Sequence, residues 1–162
     1  MSESIFFSRN ESVAEQVERK MRECAESFDA ALYRLNNPRL AEALAGLHKR
    51  GVRVRLVVDA GKYREDSETS RLLAESRVPF RLAHGRTEPG PGAVSTSVSK
   101  MHHKFVILDG RTVLTGSYNW TTESEEQNYE NLVGLSQPEQ VRAFQEEFEE
   151  LWRRAESRKQ AG

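Results

Sequence analysis

The sequence predicts an α/β fold, and three observations carry that reading. Strand, helix and strand follow one another within about thirty residues, the length of a parallel βαβ unit. An Asp109-Gly110 pair stands between two apolar runs, as in a tight hairpin. A long segment near the C terminus carries its apolar residues on one helical stripe. At 162 residues, 37% hydrophobic and 30% charged, the chain has the size and composition of one globular domain, residues 1–162.

Taken in order, "SIFF" (4–7) reads as a short strand. Val13, Val17, Met21 and Cys24 then recur at the i, i+4, i+8, i+11 spacing of an amphipathic helix, with Cys24 a buried thiol inside it. "DAALYRLN" (29–36) reads as a strand. Asn37-Pro38 opens a second helix, which Gly51 stops after a basic last turn. "VRVRLVVDAG" alternates valine and arginine and then becomes continuously apolar, as a strand entering a buried sheet does. "SETSRLLAES" predicts a shorter helix and "PFRLAHG" another strand. Residues 85–100, rich in Gly, Pro, Ser and Thr, predict a mobile loop placed to gate a substrate. The hairpin covers 104–116 and "NYENLVGL" adds a strand. The last helix puts Val141, Phe144, Phe148 and Trp152 toward the core.

Net charge is −1, so no global field announces a partner. The distribution is uneven. From His48 to Arg111 there are 13 Lys/Arg against 7 Asp/Glu, and elsewhere 11 against 18, which leaves a basic middle between acidic ends. One cysteine allows neither an intrachain disulfide nor a cysteine-based zinc site. The opening residues lack the pattern of a secretory signal, and no apolar run approaches the ~20 residues of a membrane span. The expectation is a cytoplasmic protein.

The chemistry concentrates in "SKMHHKFVILDGRTVLTGSYNW" (99–120). Side chains alternate faces along a strand, so His102 and Lys104 share a face while His103 points to the other. Ser117 and Asn119 repeat that two-residue spacing on the returning arm. Glu130 supplies a carboxylate at the start of the next strand.

His102-x-Lys104, Asp109, Gly116-Ser117-x-Asn119 and Glu130 together resemble the HKD motif of the phospholipase D superfamily. The likeness is to the single-motif branch that holds the Zucchini/mitochondrial cardiolipin hydrolase proteins and the small bacterial HKD endonucleases. The resemblance implies a mixed β-sheet sandwiched between helices and a covalent phosphohistidine on His102, resolved by water. It implies no metal and no cofactor. Imidazole attacks when neutral and donates a proton when charged, and both forms exist near neutrality. Lys104 and Asn119 would hold the non-bridging oxygens, with Ser117 adding a hydroxyl. Glu130 would accept the proton on the second nitrogen of His102. Asp109 belongs to the motif, yet Asp-Gly also suits the turn, and its parity is wrong for the phosphate.

In-line displacement needs one histidine on each side of phosphorus, and this chain has one motif. A homodimer with one composite site is therefore expected. The leading substrate is single-stranded DNA or RNA. Its backbone would be tracked by basic residues near the strand ends: His48, Lys49, Arg50, Arg53, Arg55, Lys62, Arg64, Arg81 and Arg86. The alternatives are hydrolysis of an anionic phospholipid such as cardiolipin, or a catalytically silent nucleic-acid-binding module. A membrane is the less expected partner, because the chain shows neither the anchor nor the Cys-rich insertion of the cardiolipin hydrolase proteins.

Overall fold

Residues 28–32 are buried without a break, so this segment has to lie in a sheet covered on both faces. The computed structural model, which describes residues 4–87 and 99–157, places it at the centre of eight strands. The strands are β1 (Ser4–Phe7), β2 (Ser27–Leu32), β3 (Arg53–Asp59), β4 (Phe80–Ala83), β5 (Lys104–Leu108), β6 (Thr112–Gly116), β7 (Asn131–Leu135) and β8 (Glu156–Ser157). The helices are α1 (Val13–Glu23), α2 (Pro38–Lys49), α3 (Ala60–Glu65), α4 (Ser67–Ser76), α5 (Thr122–Glu126) and α6 (Pro138–Arg154). Strand order is β1-β7-β6-β5-β2-β3-β4-β8.

β2, β3 and β4 run parallel, with α2 crossing between the first two as the strand–helix–strand pattern requires. β5 joins β2 antiparallel, and the hairpin with β6 continues the sheet to β7 and the edge strand β1. The sheet is thus mixed. Asp109 and Gly110 both have positive φ, 53° and 62°, which is the backbone a two-residue hairpin turn demands.

Each face has its own core. Val13, Val17 and Met21 of α1 pack with Leu40, Leu44 and Leu47 of α2 on one side. On the other, α6 lays Val141 and Phe148 on Ala31, Val57, Phe105 and Ile107, with Phe144 and Trp152 partly buried beside them. A fully buried leucine or phenylalanine contributes about 2 kcal/mol to such a core.

The structure departs from the sequence reading in three places. Cys24 is not inside α1 but caps its C terminus, its N–H donating to the Met21 carbonyl. The second strand begins two residues earlier, at Ser27, and ends at Leu32. Two short helices, α3 and α5, occupy segments read as connections; Asp59 and Thr121 start them by accepting from the N–H groups of Lys62 and Ser124. Most of the predicted mobile loop, residues 88–98, lies outside the described residues.

Candidate active site

The register decides which side chains meet. Leu32 at the end of β2 lies opposite Lys104 at the start of β5. The C-terminal ends of β2, β3 and β4 therefore share one edge of the sheet with the start of β5, the edge where open α/β sheets gather their sites. The β5–β6 hairpin brings Phe105 opposite Thr115, so Ser117 and Asn119, just past β6, return to the same edge.

His102 lies there with its ring against the buried ring of Tyr33, centroids 4.4 Å apart. Lys104 Nζ donates to the His102 carbonyl at 2.8 Å and stands 3.3 Å from His102 Nδ1. Partial burial, reinforced by the charges of Lys104 and Lys100, lowers the His102 pKa. The ring therefore stays neutral, and able to attack, further into acid. Burial lowers the Lys104 pKa as well, opposed by the charge of Glu130. His103 points the other way: its Nε2 meets Glu147 Oε1 on α6 at 3.0 Å, and its ring packs edge-on to Phe105.

Glu130 precedes β7 and gathers three donors: Ser117 Oγ at 2.5 Å, Ser124 Oγ at 3.0 Å and Asn128 Nδ2 at 3.3 Å. Gly116 makes this approach possible, because a Cβ there would sit 2.2 Å from the Asn131 carbonyl oxygen. Gly116→Ala is expected to push β7 away and destabilise the domain by about 1–3 kcal/mol, read as a lowered melting temperature. An unchanged melting temperature would refute that assignment. Asn119 keeps its Oδ1 buried without a hydrogen-bond partner, so its amide has unused bonding capacity.

The chain and its fold have counterparts among known proteins. The family described as "Cardiolipin synthase, PLD-like domain" matches residues 4–152. The chain belongs to the phospholipase D-like family. Human mitochondrial cardiolipin hydrolase is 37% identical over 142 residues, covering 88% of this chain and 52% of that protein. The chain spans about half the length of the curated relatives it matches. Nuc from Salmonella typhimurium, described as a phospholipase D family member, superposes with a TM-score of 0.82 at 25% identity, over 98% of this chain and 99% of Nuc. NucT from Helicobacter pylori shares the fold, with a TM-score of 0.82 at 19% identity, over 97% of this chain and 99% of NucT.

At this candidate site of the phospholipase D-like chain the predicted residues sort into three groups. His102, Lys104, Ser117, Asn119 and Glu130 share the sheet edge. The expected bond from Glu130 to His102 is not among its contacts: Ser117, Ser124 and Asn128 occupy the carboxylate, and Lys104 stands at His102 Nδ1 instead. Lys62, Arg64 and Arg86 lie at the same end, on α3 and just beyond β4. Lys62 Nζ donates to Glu65 at 2.8 Å.

The third group is misplaced for substrate. Asp109 follows the far end of β5, roughly 17 Å along the strand from Lys104, and binds the backbone N–H groups of Ala25, Glu26 and Ser27. Arg53 begins β3 at that far end, and Arg55 is clamped by Asp29 and Glu149 on the α6 face. His48, Lys49 and Arg50 end α2 there too, with Arg50 donating to the Met21 and Cys24 carbonyls. Arg81 lies over the Trp152 ring. The basic groove therefore loses these six.

Three contributors escaped sequence reasoning: Tyr33, Lys100, and Asp59, whose Oδ1 accepts from the Met101 N–H at 2.9 Å and so fixes the backbone before His102. Their available signal was position, since Tyr33 and Asp59 stand at the C-terminal ends of adjacent parallel strands. Among the described residues no group of three or more His, Cys, Asp or Glu side chains could hold a metal ion. No helix among them is long and apolar enough to cross a membrane.

Proposed function

We propose that this chain is a metal-independent phosphodiesterase that cleaves single-stranded nucleic acid at a site completed by a second copy. The observation that carries the reading is His102 itself, a neutral imidazole with one open side and an ammonium group beside it. In the first step an imidazole nitrogen bonds to phosphorus and the P–O bond to the leaving oxygen breaks. The His102 of the second copy, charged and on the opposite side, protonates that oxygen. Water, deprotonated by the same second imidazole, then attacks the phosphohistidine and restores both rings. Lys104 and Asn119 bind the non-bridging oxygens as charge builds on them.

Three large apolar side chains are exposed among the described residues, Ile5, Phe7 and Tyr129, and they cluster around β1 and the residue before Glu130. This supports a face covered by a second copy. Lys62, Arg64 and Arg86 at the rim suit a backbone of successive phosphates. A second reading, hydrolysis of an anionic phospholipid, is favoured by the 37% identity to a protein named cardiolipin hydrolase.

The deciding assay is turnover in EDTA on bis(p-nitrophenyl) phosphate, single-stranded DNA, RNA and cardiolipin vesicles. The expected result is nucleic-acid cleavage that weakens steeply with salt. Lipid turnover alone would establish the second reading, and no turnover on any substrate would leave a silent binding module.

A further inference from the structure

We infer that Tyr33 is a positioning residue of this active site: its ring face orients the His102 imidazole and gathers the lysines that face the phosphate. The inference rests on the phosphohistidine reading and adds to it a residue that never touches substrate. Tyr33 leaves the end of β2 with its N–H donating to the His103 carbonyl at 2.9 Å, and its side chain is buried. Its backbone is thereby tied to the strand that carries the nucleophile. The ring packs on His102 at 4.4 Å and an interplanar angle of 53°. An imidazole in contact with a fixed aromatic surface cannot swing freely about its own side-chain bonds, so its nitrogen edge stays toward the open side.

The same ring collects three ammonium groups from three separate segments. Lys104 Nζ lies 5.2 Å from its centroid, and Lys62 and Lys100 Nζ each lie 5.8 Å away. Three like charges so close repel one another, and Glu65 relieves only Lys62 directly. The negative face of an aromatic ring attracts cations within about 6 Å, so Tyr33 holds these lysines together before the anion arrives. A ring that packs at a tilt against the nucleophile and concentrates cations around it prepares the site for a phosphate without contacting one.

The charged groups facing His102 are Lys104 on β5, Lys100 before it and Asp59 at the end of β3, while the neighbouring His103 acts on it from the opposite face. Burial is the leading cause of the lowered His102 pKa, and the Tyr33 face supplies part of that burial. Removing the ring lets water in, so the pKa rises and the acid limb of kcat/KM moves to higher pH.

The test compares Tyr33→Ala, Tyr33→Leu and Tyr33→Phe with His102→Ala on bis(p-nitrophenyl) phosphate, folding being checked by circular dichroism. Leucine fills the volume without an aromatic face; phenylalanine keeps the face without the hydroxyl. The expected result is a kcat fall of roughly 10–100-fold for alanine and leucine, with KM nearly unchanged. Phenylalanine should recover most of kcat, and the acid limb of the alanine variant should move up. Full kcat in the leucine variant, or a phenylalanine variant as damaged as alanine, overturns the inference. Activity surviving in His102→Ala instead overturns the phosphohistidine reading beneath it.

Discussion

His102→Ala is expected to abolish phosphodiester turnover, by at least about 10³-fold, while leaving the fold and melting temperature nearly unchanged. The side chain is exposed at a sheet edge and contributes little to either core, so its loss is chemical. The more searching measurement mixes native and His102→Ala subunits under conditions that let them exchange. If one phosphorus needs an imidazole from each copy, only native–native pairs turn over. Activity then follows the square of the native fraction, about a quarter at equal mixing. Subunits that act alone would instead retain about half. A linear mixing curve would falsify the composite site, and the chain would need its acid from elsewhere.

The site is legible in the sequence where the physics is local. Strand alternation alone separates His102 from His103, and the structure sends the second to Glu147 on the far face. The turn at Asp109-Gly110 follows from residue type, as does the start of α2 at Asn37-Pro38. What escapes is whatever depends on which end of a strand faces the site. Arg53 and Arg55 look like groove residues because they flank an apolar run, yet parallel pairing with β2 puts Arg53 opposite Ser27, at the wrong end. Arg55 is claimed by Asp29 from a neighbouring strand and by Glu149 from a helix 94 residues away, with Phe148 and Trp152 beneath it. No window along the chain contains such a cage. Tyr33 is missed for the same reason: its partners come from α3, from Lys100 and from β5.

Asp109→Ala is expected to do the opposite of His102→Ala, lowering stability while sparing the chemistry. The carboxylate accepts from the N–H groups of Ala25, Glu26 and Ser27 and from the Cys24 thiol, tying the hairpin turn to the start of β2. Alanine would leave this cluster of donors without its acceptor, a loss of about 2–4 kcal/mol, or a melting temperature roughly 5–15 °C lower. Burial alone would push the Asp109 pKa up; the bonds from Ser27, Glu26 and Ala25 outweigh it and draw it down from 3.8 to about 2. The sign follows from that depression. The stabilisation is complete above 3.8, the unfolded value, and is lost as pH falls through it toward about 2. Native protein should therefore lose stability over this acid range more steeply than the Asp109→Ala variant, and the two melting curves should converge there. Burial, reinforced by the same carboxylate, pushes the Cys24 thiol up to about 12, so Cys24 should resist alkylation in native protein and react faster in the variant. Equal stability of the two proteins at neutral pH, or an Asp109→Ala enzyme whose kcat collapses without unfolding, would return Asp109 to the catalytic set.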